Sequence, residues 1–206
     1  MQAKQITGVV LLGTVLSGPV LAEEAETRRG IVSGASLVSV ELAWAAVDDS
    51  NFAGDVDDYA SLWGVGGRWA AAPNVTFMGG IAFASLGFDS DEIEGRSLFG
   101  GVGFLLGSDP DFIPSVSIQA ISSRTEFDGE TSSDTGFSLS AGAEVVVAPR
   151  ASLAFGLSYT DIVDDIVSVS TGVNIQALDN VLVGVSAGYD LDNSLESYGV
   201  GAAVVF

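Results

Sequence analysis

The side chains that most often carry chemistry near neutral pH are nearly missing from this sequence, which has no histidine, no cysteine and one lysine, Lys4. A serine or water nucleophile needs a neighbouring base of suitable pKa, and histidine or lysine usually provides it. Ser-His, Cys-His and Ser-Lys arrangements therefore have no basis here. Carboxylates remain, with 27 Asp and Glu against seven basic residues. Paired acids can hydrolyse glycosides, but most of these acids crowd into segments rich in turn formers, where solvated charge is their ordinary use. Segment 47–58 holds Asp48, Asp49, Asp55, Asp57 and Asp58, and segment 87–95 holds Asp89, Asp91, Glu92 and Glu94. Their spacing is not that of an EF-hand loop, so loosely bound divalent cations are expected and an ordered metal site is not. The runs Gly64-Val65-Gly66-Gly67 and Gly100-Gly101-Val102-Gly103 lack the following Lys-Ser/Thr of a phosphate loop and open no helix. A formal charge of −20 repels phosphate and excludes nucleic acid as a partner. Neither a catalytic residue nor a cofactor site is expected.

The composition asks what else so many apolar residues are for. Mean hydropathy is +0.44, 48% of the residues are hydrophobic, and 11 Phe, 4 Tyr and 3 Trp are present, which excludes a disordered acidic chain. The first 22 residues take part of the surplus. Lys4 precedes the apolar run Val9 to Leu16, then Ser17-Gly18-Pro19, with Val20 and Ala22 as the small residues of a cleavage site. This order reads as a secretory signal peptide over 1–22, too short in its apolar run to span about 30 Å of hydrocarbon. A periplasmic N-terminal segment over 23–34 is expected to follow. Beyond it no apolar stretch approaches the length of a membrane helix.

From Ala35 the pattern has period two, the strand period. In Ala151 to Tyr159 the odd positions are apolar and the even ones small or polar, and the same holds in Phe137 to Val145 and Val167 to Ile175. Ten such runs lie near 35–46, 59–71, 75–87, 96–106, 115–126, 135–147, 151–160, 166–177, 181–190 and 197–206. Tight turns at Ala72-Pro73-Asn74, Ser108 to Asp111, Ala148-Pro149-Arg150 and Asp179-Asn180 alternate with longer acidic loops at 47–58, 87–95, 127–134, 161–165 and 191–196. Antiparallel neighbours would then put the turns at one rim and the loops at the other.

A soluble barrel points its large apolar residues inward and its charges outward. Here the second face is dominated by Gly, Ala and Ser, which cannot fill a core, and the strands are nearly uncharged. One greasy face with few charges belongs in lipid, where a closed barrel satisfies every backbone group. The fold class expected over 35–206 is thus all-β: a closed antiparallel up-and-down transmembrane β-barrel of about ten strands, with eight as the alternative. The outward stripe should comprise Trp63, Val65, Phe77, Ile81, Phe83, Phe137, Leu139, Leu153, Phe155, Leu157, Val183 and Val185. Trp63 or Trp69, with Tyr59, Tyr159, Tyr189 and Tyr198, should mark the interfacial girdles. By the opposite parity Glu41, Arg68, Gln119, Glu144 and Asn174 face inward as a lumen polar cluster. A charge in a narrow lumen must be paired or wet, and Glu41, on the neighbouring strand, is the partner expected for Arg68.

The final run, Ser197 to Phe206, ends in an aromatic that shares a face with Val204, Ala202, Val200 and Tyr198. It resembles the C-terminal strand of small bacterial outer-membrane β-barrel proteins of the porin-like and opacity-type grouping. The resemblance implies a Gram-negative outer-membrane location, with membrane lipid and lipopolysaccharide as surroundings. It also implies that Tyr198 and Phe206 form the assembly signal read by the barrel-assembly machinery. Enzymes of that architecture depend on histidine, which this chain lacks. A structural or narrow porin-like role without catalysis is the expected function, the alternative being surface recognition or adhesion through the acidic extracellular loops.

Overall fold

The computed structural model describes residues 36–46, 59–88, 91–107, 109–162, 165–192 and 195–206, without the side chains of Tyr59, Phe88 and Asp91. The expected signal peptide over 1–22, the expected periplasmic segment 23–34 and the expected loop 47–58 lie outside these residues.

Alternating runs form strands because each apolar side chain then leaves on the same face of the pleat. All ten expected runs do so: β1 (Leu37–Ala46), β2 (Tyr59–Ala72), β3 (Val75–Phe88), β4 (Asp91–Leu105), β5 (Phe112–Phe127), β6 (Glu130–Ala148), β7 (Ala151–Asp161), β8 (Asp165–Leu178), β9 (Val181–Asp190) and β10 (Glu196–Val205). Each strand pairs antiparallel with its sequence neighbours, and β1 closes the ring against β10 from Leu37↔Val205 to Ala45↔Ser197. No sheet edge is left for another chain to extend.

The turn rim is built for tight reversal. Register shifts at Ala70/Ala72, Val146/Ala148 and Gln176/Leu178 place one extra residue just before three of the four turns. Such a bulge increases the local twist and bends the strand into its hairpin. The fourth connection is longer than expected, running from Leu106 to Asp111, and is fixed by the Asp111 amide donating to Asp109 Oδ1 at 2.9 Å. Phe206 and Ser36 meet at the same rim through a 3.4 Å backbone bond.

The loop rim departs from the expectation. Segments 87–95 and 127–134 are mostly ladder: β3 pairs with β4 as far as Phe88↔Asp91, and β5 with β6 as far as Phe127↔Glu130. Asp128 and Gly129, with φ of 50° and 73°, make the two-residue reversal. Both central residues of a hairpin turn that matches strand twist need positive φ, and Asp-Gly supplies it at low cost. Alternation fades in these segments because their outward face is polar, while inward positions such as Ile93 stay apolar and buried. β4, β5 and β6 therefore reach 15, 16 and 19 residues, well beyond the roughly 9–11 that cross a bilayer.

The outward stripe stands where parity put it. Nine of its twelve members are exposed, and Ile81, Phe83 and Leu153 are half-buried against neighbours on the same outer face. Phe83 is shielded by Trp63, whose ring stacks on it at 4.2 Å across the β2–β3 ladder. On β1 the same face carries Val38, Val40, Leu42 and Trp44, all exposed, while Leu37, Ala43 and Ala45 are buried inside. A closed wall that is apolar on its outer surface is a membrane-spanning one. Among the aromatics proposed for the girdles, Trp69 is exposed near the turn rim. Towards the loop rim, the Tyr159 and Tyr198 hydroxyls donate to Asp165 at 2.8 Å and to Glu196 at 2.7 Å.

Candidate functional site

The lumen is the one enclosed space the strands create, and parity decides what enters it. In its turn half many inward positions are Ser, Thr, Gly, Gln and Asn with a few charges, while Leu37, Leu105, Ile113, Leu182 and Val205 stand buried towards the turn rim. A cavity of about 190 Å³ lies there, bordered by Glu41, Arg68, Gln119 and Asn174 together with Ser39 and Ser117. That volume holds on the order of ten waters. Hydroxyls of facing strands satisfy one another further up the wall: Thr160 to Ser138 at 3.0 Å, Ser158 with Ser168 at 2.8 Å, and Ser97 to Ser123 at 3.3 Å.

Four of the five residues expected in the lumen polar cluster thus border one cavity, and Glu144, 2% exposed, sits beside it on the inner face of β6. The expected Arg68–Glu41 contact is corrected. Arg68 lies opposite Leu37 and Glu41 opposite Gly64, so the two are four residues apart along β1, about 13 Å of strand. The charge that acts on Arg68 is that of Glu144. β2 and β6 stand on nearly opposite walls of the ring, so the guanidinium reaches over the bore. It is tightly enclosed there, and its Nη1 has no hydrogen-bond partner. Glu41 instead lies over Gly199 of β10, where a Cβ would come within 3.1 Å of its Oε1.

The loop half of the lumen is a different environment, and sequence reasoning missed it. Ala43, Ala45, Ala60, Leu62, Ala84, Leu86 and Ile93 form a buried apolar cluster on the inner wall of β1 to β4, with Phe127 and Leu195 packed against it. A second cluster joins Ile121 of β5 to Ile166 of β8, with Phe99 and Ile162 against it. Phe99 is the central piece. Its ring covers Gly66 and Gly80, and a Cβ at Gly80 would come within 2.6 Å of its Cζ. The expectation of an interior lined by Gly, Ala and Ser therefore fails on the wall of β1 to β4, whereas β6 to β10 keep Ser138, Ser158, Thr160, Ser168 and Ser197 on the inner face of the loop half. The missed signal was present in the parity itself, since Leu62, Leu86, Ile93, Phe99, Ile121 and Ile166 all fall on the inward set of their strands. Among the described residues no three carboxylates come together as a cation site.

On β10, Tyr198, Val200, Val204 and Phe206 are exposed on one outer face, as the alternation of the terminal strand requires.

No family model and no curated protein matches the chain. Solved structures do. The translocator domain of the autotransporter NalP from Neisseria meningitidis aligns over 100% of this chain and 96% of its own, with a TM-score of 0.53 at 10% identity. The outer membrane protease OmpT from Escherichia coli aligns over 83% and 95%, with a TM-score of 0.49 at 10% identity. The KdgM porin in complex with disordered oligogalacturonate aligns over 82% and 99%, with a TM-score of 0.47 at 13% identity. At these identities the likeness is one of fold alone. The chain is a small transmembrane β-barrel of ten strands, the architecture of outer-membrane barrels.

Proposed function

We propose that this protein is a structural barrel of the Gram-negative outer membrane whose bore is interrupted by inward apolar side chains and passes no solute of disaccharide size, and that it has no catalytic activity. The observation that carries the reading is the filling of the lumen: apolar clusters on the inner wall of β1 to β4 and between Ile121 and Ile166, with Phe99 packed against the second, lie above a small polar cavity in which Arg68 feels the charge of Glu144. A bore must hold continuous water to pass ions, and apolar constrictions close by dewetting. The absence of histidine supports the lack of catalysis, since the remaining bases are carboxylates. Lipopolysaccharide and outer-membrane lipid are the surroundings that the apolar belt and polar upper strands suit. The terminal strand, with Tyr198 and Phe206 on one face, suits recognition by the barrel-assembly machinery. Divalent cations held loosely at the acidic rim fit the same setting.

Liposome swelling tests the reading. Vesicles carrying the refolded barrel should swell no faster in a disaccharide than empty vesicles do. Rapid disaccharide entry would overturn it. The alternative role, surface recognition, has one observation in its favour: β4, β5 and β6 carry charged outward side chains above the apolar belt. Capture of a specific partner, lost when the tip of the β5–β6 hairpin is deleted, would favour that role.

A further inference from the structure

The outer surface of the β4–β6 extension carries an arrangement that neither the bore nor the fold explains. Arg96 of β4 and Arg124 of β5 are direct cross-strand neighbours, both exposed and both on the outward face. They are two of only four arginines among the described residues, in a chain of net charge −20. Like charges placed directly opposite destabilise a ladder unless an opposite charge lies between them. The protein supplies little: Arg124 Nη2 stands 4.0 Å from Glu126 Oε2, with both side chains about half exposed, and bonds Thr131 Oγ1 at 3.5 Å. The next outward row up is itself a like pair, Glu94 opposite Glu126.

Their height on the barrel matters. On β4 the outward apolar series closes at Leu98, one outward step below Arg96, and on β5 it runs from Phe112 through Val116 and Ile118 to Ala120, with Ser122 next and then Arg124. The pair therefore sits at the upper edge of the apolar belt, where hydrocarbon gives way to headgroups. Directly beneath it the wall is low. Gly100 lies opposite Ala120, with Ser122 above it on β5, so a shallow trough of small side chains runs below Arg124, flanked by the exposed Leu98 of β4. A separate apolar groove, bordered by Val116, Ile118, Leu139 and Leu157, lies lower on the outer face of β5 to β7.

A cationic clamp above an apolar trough is complementary to an amphiphile with an anionic head. We propose that Arg96 and Arg124 bind a phosphate group of a phosphorylated, acylated lipid of the outer leaflet, with one acyl chain in the trough past Gly100, Ala120 and Ser122. Guanidinium pairs hold phosphate through charge-assisted, often bidentate hydrogen bonds, and the shared anion converts the repulsion between the two arginines into attraction. The inference rests on the membrane reading above and adds a specific lipid site to it.

The test uses the full-length mature barrel refolded into phosphatidylcholine nanodiscs, with heat-modifiable gel mobility confirming insertion. Failure to insert would sink the membrane reading; the arms below address the site alone. Diphosphorylated lipid A, dephosphorylated lipid A and inorganic phosphate are the probes, and native mass spectrometry counts the bound lipid. The wild type should retain diphosphorylated lipid A at least tenfold better than Arg96→Gln/Arg124→Gln does, and tenfold better than it retains the dephosphorylated form. Arg150→Gln, at the turn rim, should behave as wild type. Ala120→Leu should weaken retention by filling the trough while leaving both charges in place. Equal retention by the double arginine variant, or equal retention of the two lipids, would overturn the proposal. Inorganic phosphate bound as tightly as diphosphorylated lipid A would assign the pair to the free ion and overturn the proposal as well.

Discussion

Single residues carry two different burdens in this barrel, according to the face on which parity places them. Phe155 is exposed in the middle of β7 on the lipid side, so Phe155→Arg should cost about 2–4 kcal/mol when urea unfolding is followed in vesicles. Arg68 and Glu144 carry the opposite burden, as charges inside. Removing one of a buried pair strands the other, and such losses run to about 3–5 kcal/mol. A double-mutant cycle in the same assay should therefore give a coupling of roughly 0.5–3 kcal/mol between Arg68→Ala and Glu144→Ala, and none between Arg68→Ala and Glu41→Ala. Coupling of Arg68 to Glu41 and not to Glu144 would contradict the described geometry. The inward facing of all five polar residues was legible in the sequence because parity is a property of each strand. The partner of Arg68 was not, because it depends on register and on which walls face each other across the ring.

The strands themselves were legible wherever lipid covers the outer face, because a hydrocarbon neighbour forces every second residue to be apolar. Above the belt that demand ends. Glu92, Glu94, Glu130 and Asp134 then read as loop residues although they pair in β4 and β6. The hairpin that joins β5 to β6 depends on local chemistry, since Gly129 sits at a φ of 73° that a β-branched residue resists. Gly129→Val should destabilise the barrel by about 1–3 kcal/mol, most visibly as faster hydrogen exchange in residues 122–134 with the lower strands unchanged. Exchange that rises equally around the whole ring would contradict the view that the extension is a local unit.

At the scale of the molecule, ten strands enclose a width between two regimes. Eight give an interior that side chains fill, and sixteen an open channel. Which way a ten-stranded barrel goes depends on the size of its inward residues, and here they are mixed: a polar cavity in the turn half, and in the loop half an apolar cluster on β1 to β4 with serines and threonines on β6 to β10. Attention to the small inward residues alone suggested a narrow continuous bore, and the inward Leu, Ile and Phe side chains interrupt it. The glycines under Phe99 show how the closure is made, since Gly66 and Gly80 leave the space its ring occupies against β2 and β3.

Single-channel recording in a planar bilayer tests this closure most directly, comparing the wild type with Phe99→Ala. The wild type should show no resolvable current steps in molar salt. Phe99→Ala, which removes the ring between Gly66, Gly80 and the Ile121–Ile166 contact, should bring small, discrete openings. Steady conductance by the wild type, unchanged in the variant, would contradict a lumen closed by its inward apolar clusters.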